Sequence, residues 1–290
     1  MLTFFAVALR ILVNPLANVF QKRICAEGQS PLTANFTVYF GLSFLVMFRA
    51  WGISWEMFPW SFWCNAVLIG LLGACGNGLL VMAMQSGELS VLGPINAWKS
   101  VVGLIFGICL LGEIPNGIGL TGLLLILIGS YFIIGFDPVS LRFSRSCFYR
   151  RDLQYRIAAM VLAAVEAVFI KKIILCSSPA VAFILWCWSG AFFSLLILLF
   201  LEKTDWRREW SKMKVQKGMY LALIVSVGLM QLTTNYVFDK IPVASALALF
   251  QLSAVLSVFY GWCFFGETQI YRKLAASAVM VAGSILMILG

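Results

Sequence analysis

Lys99, Glu166 and Arg10 are the side chains of this sequence whose chemistry is hardest to explain as packing. Each falls inside a long apolar run, where a charged group costs at least ~2.5–3.5 kcal/mol on insertion scales, so each must face protein or water. Lys99 and Glu166 both lie about ten residues into their runs. Opposite charges at matched depth can form a salt bridge that only locks helices together. They can also line a cavity, where the lysine meets a ligand's acidic group and the carboxyl group carries a proton. Arg10, Asn14 and Asn18 are spaced i, i+4, i+8 and stack along one helix face, with Pro15 interrupting the backbone ladder beside them. Arg10 lies nearer the end of its run and has the alternative of snorkelling to the interface.

Several amides and a tryptophan extend this set. Asn77 and Gln231 recur at an offset of 154 residues, and Asn235 follows Gln231 by one helical turn. Asn96 and Trp98 closely precede Lys99, and Gln251 completes the candidate lining. Polar bonding between helices explains the amides about equally well. The candidate substrate-binding residues are therefore Arg10, Asn14, Asn18, Asn77, Asn96, Trp98, Lys99, Glu166, Gln231, Asn235 and Gln251.

Nothing points to catalysis, a cofactor or a metal. There is no histidine, which removes the commonest metal ligand and general base. The eight cysteines form no C-x-x-C pair and read as small apolar residues. "GIGLTG" (117–122) fits G-x-G-x-x-G but opens an apolar run with no strand before it, so the dinucleotide reading fails its context. "NFT" (35–37) fits a glycosylation acceptor but lies inside a run. No Gly-Lys dipeptide occurs, hence no P-loop and no ATP.

These residues must be held by membrane helices. Apolar residues make up 62% of the chain and charged ones 11%, with a mean hydropathy of +0.96, against roughly 25% charged in soluble domains. Ten runs are long enough to cross a ~30 Å hydrocarbon core: about 2–21, 32–50, 62–84, 89–111, 117–135, 157–176, 180–201, 218–238, 242–265 and 271–289. The first lacks a basic n-region and a cleavage site and reads as a retained helix. The net charge of +9 reports topology rather than a nucleic-acid partner. Fifteen Lys and Arg fall on the face formed by the loops near 22–30, 136–156, 202–217 and 266–273, against four on the other. By the positive-inside rule the richer face is cytoplasmic, which with ten spans puts both termini outside.

The chain is also made twice. Residues 101–130 and 255–284 match at an offset of 154, through Val101/Val255, Gly107/Gly261, Cys109/Cys263, Gly112/Gly266, Glu113/Glu267, Gly129/Gly283 and Ser130/Ser284. "VFQKRI" (19–24) answers "VFIKKI" (168–173), and Ser30-Pro31 answers Ser178-Pro179. Five spans per half, 1–135 and 157–290 around a basic linker 136–156, force the second copy to insert upside down. The expected fold is thus an all-α integral membrane protein of ten transmembrane helices in a five-plus-five inverted repeat, an architecture of secondary transporters.

The basic pair before Ser-Pro in each half, with "LLGE" (110–113) and "FFGE" (264–267) closing each fourth span, resembles the drug/metabolite transporter (DMT) superfamily, specifically its EamA-like members. That resemblance covers the whole chain. It implies a bundle whose first four spans in each half surround a central cavity, moving small metabolites or drugs by alternating access. It also implies both termini in the cytoplasm, against the charge count. The expected function is a secondary transporter of small amphipathic metabolites, amino-acid-like or weakly anionic, working as an exporter in the multi-pass cytoplasmic membrane of a prokaryote. Its partners are then the substrate, the lipid bilayer and protons carried through Glu166, with no cofactor. The alternatives are a multidrug exporter of cationic compounds, which Lys99 disfavours, and an intramembrane enzyme, lipid-handling or scaffold protein.

Overall fold

The apolar runs fold as helices. The computed structural model describes residues 2–96, 98–111, 116–134, 150–202, 205–268 and 270–289. Among them there are thirteen α-helices and no strand. The half carrying the first copy holds α1 (Leu2–Ala26), α2 (Pro31–Ala50), α3 (Trp60–Ser86), α4 (Leu89–Ile95), α5 (Trp98–Leu111) and α6 (Gly117–Ile134). The second holds α7 (Arg151–Cys176), α8 (Pro179–Leu201), α9 (Trp206–Val215), α10 (Lys217–Lys240), α11 (Val243–Phe250), α12 (Ser253–Phe265) and α13 (Ile270–Leu289). Six stretches among the described residues, α1, α2, α3, α8, α10 and Val243–Phe265, are long and apolar enough to cross a membrane by length and composition.

The repeated motifs have local physical reasons. Ser30 and Ser178 cap α2 and α8, accepting from Thr33 N at 3.4 Å and Val181 N at 3.2 Å. Pro31 and Pro179 then start each helix where a backbone donor would be unpaired anyway. The lysines that precede them tie down matching helix ends. Lys22 Nζ donates to the carbonyl of Gly87 at 2.8 Å, and Lys171 Nζ to those of Phe238 and Ile241. Gly87 and Ile241 are one repeat offset apart. In "FFGE", Gly266 closes α12 with φ 62°, a left-handed conformation that glycine adopts without steric cost. The turn brings Glu267 under the start of α4, where it accepts from Leu89 N and Ser90 N. Gly112 and Glu113, like linker residues 135–149, lie outside the described residues.

Packing follows a two-fold pattern. The most extensive contacts join α3 to α7 and α1 to α10, which exchange if the halves are swapped, and α6 to α13, which correspond to each other. Gly283 permits that last approach, since a Cβ there would meet the Gly122 carbonyl oxygen at 2.5 Å. Two features differ from uninterrupted helices of uniform length. The runs 89–111 and 242–265 break near their middles, between α4 and α5 and between α11 and α12. Pro94, which cannot donate a backbone hydrogen bond, lies in the last turn of α4 beside the first break. At the second, the Gln251 amide donates back to the Leu247 carbonyl at 3.0 Å. Finally, α7 begins at Arg151, so Arg156 is a helix residue rather than part of a linker.

Candidate functional site

A cavity of about 70 Å³ runs along α1 from Arg10 to Gln21, three turns of one face. The wall adds Tyr39 from α2, Asn77 from α3, Asn96 at the break and Lys99 at the start of α5. The second half supplies Arg156, Ala159 and Ala163 from α7, Trp186 from α8, and Val227 and Met230 from α10. Arg10 and Asn14 are related to Ala159 and Ala163 by the offset of 149 that aligns the first helices of the two halves. All four line the cavity, so the pseudo-two-fold relationship passes through it.

The sequence candidates separate into three groups. Arg10, Asn14, Asn18, Asn77, Asn96 and Lys99 line the cavity. Arg10 is buried. Its Nε donates to Thr234 Oγ1 at 2.8 Å and its guanidinium lies 4.8 Å from the centre of the Phe250 ring. Among the described residues its Nη1 has no hydrogen-bond partner. Asn14 Nδ2 donates to Ser253 Oγ at 3.3 Å across the halves, and Ser253 occupies the repeat position of Lys99.

Glu166 stands one layer behind the wall. Its Oε1 accepts from Trp186 Nε1 at 2.6 Å, and the Trp186 ring lies 4.6 Å from that of Tyr39. Tyr39 Oη accepts from Asn77 Nδ2 at 2.6 Å. Gly73 and Gly190 make room for this cluster, since a Cβ at either would collide with the Glu166 carboxylate or the Tyr39 ring. Lys99 and Glu166 are within electrostatic reach of each other, but among the described residues no direct ion pair joins them.

The remaining candidates lie away from the cavity wall. Gln231 Nε2 donates to Asn235 Oδ1 at 2.9 Å and Asn235 Nδ2 to the Pro179 carbonyl at 3.2 Å, which binds α10 to α8. Gln251 bonds within the broken helix, and Trp98 is half-buried at the start of α5.

Reading the sequence missed Arg156, Tyr39, Trp186 and Gln21. Arg156 is buried, with Nε donating to the Leu92 carbonyl at 2.8 Å. Asp152 at a helix first turn was the signal that α7 starts early enough to bury it. Tyr39 and Trp186 sit in runs apolar on every side, where periodicity singles out no face.

The site can therefore present cations, amides and an aromatic pair to a small ligand enclosed between two similar halves. A solved protein structure shares the fold, with a TM-score of 0.62 and 20% identity over 99% of this chain and 96% of that one. A search of curated proteins finds no match. The sequence profile described as the EamA-like transporter family matches twice, over residues 5–135 and 153–289, one match to each half. The cavity between those halves is thus part of a membrane transporter of the drug/metabolite type, and the chain belongs to the EamA-like transporter family.

Proposed function

We propose that this protein is a secondary transporter that exports small amphipathic metabolites, amino-acid-like or weakly anionic, by alternating access. The observation that carries the reading is that the cavity's cations come from both halves, Arg10 and Lys99 from the first and Arg156 from the second. Two halves that each hold part of one ligand can bind it in two conformations open to opposite sides. In this reading the two halves contribute five spans each, the second inverted relative to the first, with the basic linker between them on the cytoplasmic face running from 136 only to the start of α7 at Arg151. Glu166 is the proton carrier, because it is the buried carboxyl group beside the cavity and interacts with Lys99. A cationic substrate is disfavoured by three cations in the wall.

The test is counterflow in proteoliposomes loaded with candidate metabolites, comparing the native protein with Lys99→Met. Exchange of at least one small metabolite that is lost in the variant supports the reading. Exchange unaffected by the substitution, or confined to lipophilic cations, overturns it.

A further inference from the structure

The charges around the cavity do not balance. Arg10, Lys99 and Arg156 all line it, and Lys99 lies within electrostatic reach of both arginines. Guanidinium groups stay charged in proteins. Against these three cations stands, among the described residues, one carboxylate not already ion-paired, that of Glu166. The other acidic groups close by are already engaged. Asp152, one turn before Arg156, is held by Arg150 at 2.7 and 3.2 Å. Glu267, beyond Gln21, is paired with Lys22 at 2.9 Å, and Glu88 with Lys273 at 2.6 Å.

With Glu166 set against Lys99, the buried guanidinium groups of Arg10 and Arg156 leave about two positive charges without an acidic partner among the described residues, and a buried charge without one is strongly unfavourable. The hydrogen bonds of the arginines relieve only part of this. Arg156 spends its Nε on a neutral carbonyl and Arg10 its Nε on a hydroxyl. The Arg10 side chain is more than nine-tenths buried, and its Nη1 has no acceptor among the described residues.

We infer that the ligand of this cavity is a small dianion, such as a dicarboxylate or a phosphate monoester, whose two charges neutralise the excess left by Arg10, Lys99 and Arg156. This rests on the cavity being the substrate site, and it replaces the zwitterionic and singly charged members of the proposed substrate class with doubly charged ones. A zwitterion leaves the imbalance where it was, and a monoanion removes half of it. A volume of about 70 Å³ fits a ligand of a few heavy atoms, well below the roughly 300–1,000 Å³ of sites for drug-sized molecules.

The experiment measures thermal unfolding of the purified full chain at constant ionic strength, titrated with malonate, inorganic phosphate, acetate or glycine. A ligand that binds only the folded state raises the midpoint by mass action. Malonate and phosphate should raise it most in the native protein, acetate less, and glycine should not. Arg156→Gln and, separately, Lys99→Met should each weaken the apparent malonate affinity at least ~10-fold, as expected for loss of a charge-assisted contact. Arg156→Lys should retain part of it. Arg207→Gln, a charge on the surface helix α9, should leave it unchanged. If Arg156→Gln does not fold, Lys99→Met carries the comparison.

A midpoint raised by glycine or acetate as much as by malonate overturns the dianion inference but leaves the transport reading standing. So does a malonate effect that survives both substitutions. No shift with any of the four probes also overturns it, and the counterflow assay then decides separately whether the protein transports.

Discussion

Glu267 of the second half and Lys22 of the first meet at 2.9 Å, and the same carboxylate accepts the Leu89 and Ser90 backbone N–H groups at 2.6 and 2.7 Å. One side chain thus ties α1, the start of α4 and the end of α12, one residue beyond the cavity wall at Gln21. Gly261 keeps the space open, since a Cβ there would come within 2.5 Å of Glu267 Oε2. Burial pushes the Glu267 carboxyl up, but its bonds from Ser90 and Lys22 outweigh that and hold it below its ordinary value of 4.5.

This bridge makes stability depend on acid in a defined direction. A carboxyl depressed in the folded state contributes fully above its unfolded pKa, and the contribution is lost as pH falls through the folded one. The native protein should therefore lose thermal stability below about pH 4.5. Glu267→Gln should lower the unfolding free energy at pH 7 by roughly 1.5–3 kcal/mol and flatten that acid limb. An unchanged limb in a pH series of melting curves would remove Glu267 from the account.

The relation between Lys99 and Glu166 is tested by transport rather than by stability. Lys99→Met keeps the stem and removes the charge, so transport should fall by about 10-fold or more, the size of one charge-assisted contact, while folding survives. Glu166→Gln should abolish any dependence on an imposed proton gradient. Should Lys99→Met prove unstable and the double variant recover both expression and full transport, the two residues would form only a structural pair.

Close approach behind the cavity wall at one glycine and open space at another predict opposite outcomes for the two. Gly73→Ala drives a Cβ into the Glu166 carboxylate and toward Tyr39 Oη and should cost about 1–3 kcal/mol, the usual range for overpacking. Gly218→Ala, in α10 with nothing within 4 Å, should be neutral or stabilising by up to about 1 kcal/mol. Thermal melts of the two variants check both signs together.

Topology is testable without a ligand. By the positive-inside rule the excess of Lys and Arg on one face predicts both termini outside if the chain has ten spans, so a reporter active only in the cytoplasm and fused after Gly290 should stay silent. A bright reporter would side with the cytoplasmic termini that the resemblance implies.

By itself the sequence determined the class, the duplication and the joints of the fold. Composition alone requires a bilayer, and the recurring Ser-Pro and Lys positions, with Gly266-Glu267 of the second half, mark caps and helix ends because those are local requirements of the backbone, met within a few residues. The same logic put Arg10, Asn14, Asn18, Asn77, Asn96 and Lys99 in view, since a polar group in an apolar run needs a partner wherever the chain folds. Tertiary structure decided which partner each one has. It joined Gln231 and Asn235 into a link between α10 and α8, and placed Glu166 behind Trp186 without a direct bridge to Lys99. It also started α7 early enough to turn Arg156 into cavity wall. These outcomes depend on which helix faces meet, and runs that are apolar all round carry no periodicity to reveal it. The cavity chemistry is also where the repeat is broken. Ala159, Ala163 and Ser253 answer Arg10, Asn14 and Lys99, so duplication identifies what holds the halves together, and only their packing against each other brings the unrepeated charges into one site.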